Sequence, residues 1–350
     1  MFLRQCWYVF DWDTALEPDG APIGRVLLNE PIVVWRDADG DVFALEDRCP
    51  HRHAPLSMGR VEDGGLRCMY HGLKLANGGR CVAMPLMKEP PALSARSYPV
   101  VVKNNWIWIW MGHPDRADRD LIPTAYGLND PNAPMRHDSI VYKAHFQLIH
   151  DNLCDLSHLD FVHANTLKPA TGADWSLTMP RVTQGERSIT IQRWFPGALL
   201  PGTEGTTVDA WSSYDFCVPG IFIMRGARYP AGTAERCNGQ EPTGVEPLMR
   251  NIEQQAVTPI SERHSAYHFA TGLIGSTSEM TARLASRMDV VMAAFGEDRA
   301  IIEAQQRIWD LTPPDKKMAF LPQDKAPQMM RRLLNRLVQQ EQADAQRVSQ

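Results

Sequence analysis

Two short clusters of metal-binding side chains, Cys49-Pro50-His51 and Cys68-Met69-Tyr70-His71, constrain this chain more than any other feature. Sixteen residues separate them, and each offers one thiolate and one imidazole. Structural zinc sites usually pair like with like, C-x(2–4)-C followed by H-x(3–5)-H. The mixed order instead suits one metal centre built from two loops, a [2Fe–2S] cluster with two Cys on one iron and two His on the other. Neutral imidazoles in place of two thiolates remove negative charge and raise the cluster potential. A zinc knuckle is the competing reading of these four ligands.

The sequence around the two clusters reads as short strands. Ile32–Arg36 and Val42–Leu45 flank the turn Asp37-Ala38-Asp39-Gly40-Asp41, a β-hairpin, and Gly24–Leu28 is a further apolar run. Gly64-Gly65 and Gly78-Gly79 mark turns at short intervals. In Trp106-Ile107-Trp108-Ile109-Trp110 three Trp face one way and two Ile the other, so this strand is expected to be covered on both faces. The expectation is an all-β domain over residues 1–112, with Met111–Asp115 ending it. Residues 113–350 then form a second domain, since 350 residues suit two cores better than one.

The second domain reads as α+β. Ser139–Ile149 alternates like a strand and leads to a helical stretch near Asn152–Leu159. Short strands are expected from about 180 to 275, among them Ser188–Trp194, Ile221–Met224 and Ala266–Thr271. A long helix from Glu279 to Trp309 stops at Pro313-Pro314, and Met329–Gln339 is amphipathic.

Composition excludes more than it assigns. A net charge of −5 gives no reason to expect a nucleic-acid or anionic-membrane partner. No run approaches the length of a membrane span, and Met1–Trp7 lacks a signal-peptide pattern. Seven scattered Cys argue against a disulfide framework and for a reducing compartment, the cytoplasm.

A second constellation lies at Asn152, Asp155, His158 and His163. Asp155 and His158, three apart, fall on one helical face. His158 and His163 are about 140° apart around an ideal helix, so they meet at one ion only if the helix ends or bends between them. Two His and one carboxylate with open positions form the facial triad of non-haem Fe(II) oxygenases. The carboxylate need not be Asp155. In the long helix Leu284, Met288, Val291, Phe295, Ile302 and Trp309 form an apolar stripe, and Asp298 sits in its middle. A carboxylate buried there is expected either to be neutralised or to find a cation, a metal ion or an arginine such as Arg299 or Arg263. Glu297, roughly 100° round the helix, is expected to point toward solvent.

A one-electron carrier and an open Fe(II) site in one chain read as a reductive oxygenase. At this point the chain resembles the oxygenase component of the Rieske non-haem iron oxygenases over essentially its full length. Cys49-Pro50-His51-Arg52, Cys68-x-x-His71-Gly72 and Asp155-Leu156-Ser157-His158-x4-His163 match that family, as does Asp298. The Phe2–Val9 opening, Tyr70–Leu73 and Ile107–Trp110 are most similar to the group of vanillate and dicamba O-demethylases and toluenesulfonate methyl-monooxygenase.

The resemblance implies an all-β Rieske domain and a helix-grip-like α+β catalytic domain with an antiparallel sheet. It implies that Cys49, Cys68, His51 and His71 hold the cluster, and that His158, His163 and Asp298 hold mononuclear Fe(II). Asp155 is then a bridging carboxylate, hydrogen-bonded to His158 and to the cluster ligand His71 of a neighbouring subunit in a homotrimer, and Asn152 lines the pocket. Electrons come from NAD(P)H through a flavin/iron–sulfur reductase or a ferredoxin, with O2 as co-substrate. The implied reaction is hydroxylation of a methyl or methoxy C–H of a small aromatic acid, foremost O-demethylation of a vanillate-like methoxyarene. Cis-dihydroxylation of an aromatic ring and a Rieske electron carrier without catalysis are the competing readings. Arg225 and Arg250 are candidate partners for a substrate anion. Ala54 and Tyr70 occupy the places where respiratory Rieske proteins carry an extra disulfide, which places the expected potential near about −150 mV, low in the Rieske range.

Overall fold

The computed structural model describes residues 1–128, 130, 133–167, 173–199, 205–274 and 278–348. The chain divides into two compact units, Met1–Ile122 with Thr258–Glu262, and Pro123–Val257 with Arg263–Val348.

The first unit is built from small antiparallel sheets, as the spacing of turns requires. The Trp106–Trp110 strand lies between Trp7–Trp12 and Val100–Lys103, and all five of its residues are buried. Trp7 and Trp12 pack on Trp110 and Trp106 with ring centroids 5.4 and 5.3 Å apart. Burying side chains of this size contributes about 2–3 kcal/mol each. The expected hairpin forms from Glu30–Arg36 and Val42–Glu46. Its turn is closed by the Asp37 carboxylate, which accepts from Asp41 N at 2.9 Å, and by Gly40 at φ +90°. The unit extends ten residues past the expected boundary at 112 because its tryptophans and a lysine hold the next segment. Trp110 Nε1 donates to His113 O at 2.9 Å, Trp7 Nε1 to Asp118 O at 2.6 Å and Lys103 Nζ to Ile122 O at 3.4 Å.

The second unit is organised on a seven-stranded sheet. Its order is Met135–Tyr142, His264–Ile274, Met249–Ser261, Ile221–Pro230, Val208–Cys217, Ser188–Ala198 and Arg181–Gln184, so the first strand in sequence pairs with the last. The strands are ten to thirteen residues long in the middle of the sheet, longer than their hydrophobic runs. Polar residues such as Ser212, Asn251 and Glu253 interrupt the apolar pattern because they face a cavity. The Ser278–Leu311 helix packs on the first and last strands. The Lys325–Val348 helix, longer than expected, is tied to the Phe146–Cys154 helix by Arg331 Nε donating to Asp151 at 2.9 Å.

The strand expected over Ser139–Ile149 ends at Tyr142, and the helix starts at Phe146. Its N-cap is His145, whose ring accepts from Gln147 N at 3.1 Å. A histidine cap is a weak signal in sequence compared with Ser, Thr or Asp.

His150 in that helix is caged by Phe146, Phe216 and Phe222, with ring centroids 5.3, 5.5 and 5.8 Å away. Gly220 makes the room: a Cβ there would lie 2.5 Å from His150 Nε2. Neither ring nitrogen has a partner among the described residues, and burial pushes the pKa down to about 3. A histidine held neutral in the folded state takes up a proton on unfolding as pH falls below its usual 6.5. Its contribution therefore favours unfolding by up to about 1.4 kcal/mol per pH unit between 6.5 and 3. His150→Leu is expected to flatten the pH dependence of urea unfolding across that interval, and an unchanged slope would contradict this origin.

Candidate metal centres

Each loop of the first constellation is closed around its cysteine by backbone hydrogen bonds. Cys49 N donates to Ala54 O and His53 N to Cys49 O, both at 2.8 Å. Cys68 N donates to Leu73 O at 2.8 Å and Gly72 N to Cys68 O at 3.0 Å. Gly72 is needed for its φ of +75° and because a Cβ would come within 2.8 Å of Pro85 Cγ. Arg67 braces the second loop, donating to Gly72 O at 2.7 Å. Its ion pair with Glu62 holds that carboxyl down at about 2.

The sulfurs point inward and the imidazoles outward. Cys49 and Cys68 lie in the core with Leu56, Leu66 and Leu73, whereas His51 and His71 are half-buried with ring centroids 4.8 Å apart. Burial, then the neighbouring Cys68 thiol, pushes the Cys49 thiol up. Partial desolvation, then His51 and Arg52, pushes the His71 imidazole down, toward the neutral form that a metal ligand requires. All seven cysteines are free of disulfides. The zinc reading demands four donors converging on one point. Among the described residues, the one His/Cys/Asp/Glu group of three or more with all ligand atoms within 4.8 Å is His158, His163 and Asp298. The loop ligands instead stand as two pairs, the donor set of a two-iron cluster.

That trio depends on how the Phe146–Cys154 helix ends. Asp155 leaves helical conformation at φ −129°, ψ 95°, and its carboxylate accepts from Ser157 N at 2.9 Å to start a new turn, Leu156–His158. The Leu159–Val162 turn follows and His163 terminates it. This break brings the His158 and His163 rings to 5.3 Å despite their angular separation in an unbroken helix. Asp155 and His158 thus do not share a helical face, contrary to the expectation. His158 Nδ1 is 2.6 Å from the Asp155 backbone oxygen, and the Asp155 carboxylate is turned elsewhere. It lies 3.6 Å from Arg193. Arg193, fully buried, also donates to Thr178 O, Tyr214 Oη and Ser157 Oγ at 3.0, 3.1 and 3.2 Å.

Asp298 is 4% exposed on the buried stripe of the Ser278–Leu311 helix. Its two oxygens lie 3.5 Å from His158 Nε2 and 3.2 Å from His163 Nε2. Neither proposed arginine serves it: Arg263 pairs with Asp310, and Arg299 is exposed. Trp309, placed on the same stripe by spacing, is 38% exposed and packs on His145, and Gln306 takes the buried position, accepting from His145 N at 2.8 Å. Asn152 Nδ2 donates to Asp298 Oδ1 at 2.9 Å and lies 3.3 Å from His158 Nε2.

Glu297, expected to point toward solvent, keeps a side chain 33% exposed but turns its carboxylate onto His163. Its Oε2 lies 2.8 Å from His163 Nδ1 and accepts from Thr166 Oγ1 at 2.7 Å. A glutamate reaches back across the angle that separates it from Asp298, which residue spacing alone does not reveal. His163 is lowered by burial but raised overall by its bonds to Asp298 and Glu297, and Glu297 is lowered by His163 and Thr166. Burial pushes His158 down. One buried carboxylate and two imidazoles, each with Nδ1 engaged and Nε2 toward the carboxylate, match a mononuclear metal's donor set.

The trio opens on a cavity of about 560 Å³, lined also by Leu156, Trp175, Phe195 and Met224. The arginines named from sequence are otherwise engaged. Arg225 pairs with Asp215 at 2.7 Å and Arg250 with Glu246 at 3.5 Å. Among the described residues no helix is long and apolar enough to cross a membrane.

Comparison with known proteins agrees with this layout. Residues 6–100 match the Rieske [2Fe-2S] domain family, and residues 142–340 match the vanillate O-demethylase oxygenase C-terminal domain family. The iron-sulfur subunit of the toluene-4-sulfonate monooxygenase system of Comamonas testosteroni is 37% identical, over 97% of this chain and 98% of that one. A vanillate O-demethylase oxygenase subunit from Pseudomonas sp. (strain HR199 / DSM 7063) is 30% identical, over 99% and 98%. The crystal structure of dicamba monooxygenase with non-heme iron and dicamba superposes with a TM-score of 0.80, at 29% identity, over 98% of this chain and 99% of that one. The chain therefore belongs to the Rieske non-haem iron oxygenases, as the oxygenase component of a multicomponent monooxygenase that uses a [2Fe–2S] cluster and a mononuclear iron.

Proposed function

We propose that this oxygenase component hydroxylates a methyl or methoxy C–H of a small aromatic acid, foremost a methoxybenzoate. In this reading Cys49, Cys68, His51 and His71 hold the cluster, and His158, His163 and Asp298 hold the iron. The observation that carries it is the His158–His163–Asp298 trio at the wall of a largely apolar cavity of about 560 Å³, roomy enough for a substituted aromatic acid. When bound, the two metal groups supply single electrons and O2 activation.

The chain's own residues provide the rest. Asn152 donates to Asp298 and fixes its carboxylate plane. Glu297 and the Asp155 carbonyl accept from the two imidazoles, so that each presents Nε2 to the ion. Leu156, Trp175 and Phe195 exclude water from the ring of the substrate. Asp155 bridges to a neighbouring subunit's His71 in a homotrimer and carries electrons between the centres. The donor is a flavin/iron–sulfur reductase or ferredoxin fed by NAD(P)H, and seven free thiols fit the cytoplasm as compartment.

The net reaction consumes ArOCH3, O2, two electrons and two protons and yields ArOCH2OH and water. The hemiacetal then collapses to a phenol and formaldehyde. An aryl methyl substrate stops at the benzylic alcohol. The test is a panel of methoxy- and methylbenzoates and toluenesulfonate with a surrogate reductase, scored for formaldehyde and alcohol. Arene cis-diols as the sole products would overturn the reading.

Glu297 has its own test. Replacing the carboxylate that holds a metal-binding imidazole costs about 10- to 100-fold in metal affinity. Glu297→Ala is expected to weaken Fe(II) binding by that factor, and Glu297→Gln by less. An unchanged dissociation constant, measured with a competing chelator, would leave Glu297 without this role.

A further inference from the structure

We propose that Ser212 and Asn251, on either side of Gly226, are specificity-determining residues that read a neutral hydroxyl on the substrate ring, so that a hydroxy-methoxybenzoate is preferred to a plain one. This rests on the methoxybenzoate reading above and adds the substituent that the cavity selects. Ser212, Gly226 and Asn251 are register partners across three adjacent strands, Val208–Cys217, Ile221–Pro230 and Met249–Ser261. All three line the cavity and are half-buried.

These two side chains are uncommitted where charged and polar neighbours in the same wall are not. Arg225 pairs with Asp215, Glu253 with Arg287, Thr166 donates to Glu297, and Arg228 is engaged as well. Ser212 Oγ and the Asn251 amide have no hydrogen bond among the described residues. A ring lying against this wall takes water from both, and a polar group left unpaired then weighs against binding. A substituent that pairs with them removes that penalty.

Gly226 sets the spacing. A Cβ at that position would lie 2.3 Å from Asn251 Oδ1 and 2.9 Å from Nδ2, so the amide leans over the glycine toward Ser212. With the amide above the middle strand, one strand spacing of about 4.8 Å separates it from the Ser212 position. A single oxygen that hydrogen-bonds to both at about 2.8 Å spans that gap. A hydroxyl fits by chemistry as well as by size. It donates one hydrogen bond and accepts another, and the serine hydroxyl and the carboxamide each offer a donor and an acceptor. A carboxylate only accepts and leaves the acceptor lone pairs of the row facing negative charge, while a methyl group satisfies neither partner.

The experiment adds one hydroxyl to an otherwise constant ligand. Holoenzyme and variants are titrated anaerobically by calorimetry with 3-methoxybenzoate and with its 2-, 4- and 5-hydroxy derivatives, with visible absorbance and iron content as folding controls. The wild-type protein is expected to bind one hydroxy isomer about tenfold or more tightly than 3-methoxybenzoate, the net worth of two neutral hydrogen bonds. Ser212→Ala and Asn251→Ala should each cut that ratio by about threefold to tenfold, and the double variant should abolish it. Ser212→Thr, which keeps the hydroxyl, should retain most of it. A ratio unchanged in both alanine variants overturns the assignment, as does the absence of any preferred isomer in the wild-type protein. In either case, formaldehyde release from 3-methoxybenzoate by the wild-type protein would leave the methoxybenzoate reading standing. Binding of none of the four compounds overturns the assignment and the methoxybenzoate reading together.

Discussion

Asp298→Ala is expected to abolish turnover while leaving the cluster spectrum intact. The variant should lose one iron per chain and keep the cluster pair, because the two sets of ligands reside on separate units. The physical ground is that Asp298 is the one carboxylate between two imidazole Nε2 atoms, at 3.2 and 3.5 Å. Removing it leaves two neutral donors, and a facial site with two donors holds Fe(II) weakly. Glu297 cannot substitute, since its carboxylate is committed to His163 Nδ1 and Thr166. Turnover should fall by about a thousandfold or more, at least about 4 kcal/mol of transition-state stabilisation. Iron content by mass spectrometry and product formation under saturating reductant check both halves. A variant that retains its third iron, or its activity, would remove Asp298 from the centre. Loss of the cluster spectrum as well would mean the substitution unfolds the protein, and Asp298→Asn, closer in shape, then decides.

What could be read in advance follows the range of the interactions. The [2Fe–2S] loops were legible because their ligands lie in two short local motifs, and a cluster dictates donor type at fixed spacing. Asp298 was legible because a carboxylate in an apolar stripe must have a partner. Glu297 was misplaced because spacing gives the direction of Cβ, and a side chain with three rotatable bonds can double back. The break at Asp155 was anticipated only as a condition on His158 and His163. Its cause, a carboxylate capping a second short turn, is itself a local signal of the Asp-x-Ser kind.

Asp155 and Arg193 make the other large expectation, and it is asymmetric. Arg193 has a side chain with no exposure, while that of Asp155 is 21% exposed. Asp155→Asn removes the one ionised partner among the described contacts of a buried guanidinium, leaving it Thr178 O, Tyr214 Oη and Ser157 Oγ. Stranding a buried charge costs about 3–5 kcal/mol. Arg193→Met strands a carboxylate that water already reaches, and should cost about 1–2 kcal/mol. The double variant strands neither, so it should be more stable than Asp155→Asn alone, a coupling that urea unfolding of all four proteins measures. Additive losses would mean that the 3.6 Å pair carries no energy. The same cycle separates two roles that a single variant confounds. If Asp155 also carries electrons to the mononuclear iron, single-turnover oxidation of the cluster stays slow in the double variant even though its stability returns. If the rate recovers along with stability, the carboxylate acts by holding the turn from Leu156 to His163 in place, and the electron path lies elsewhere.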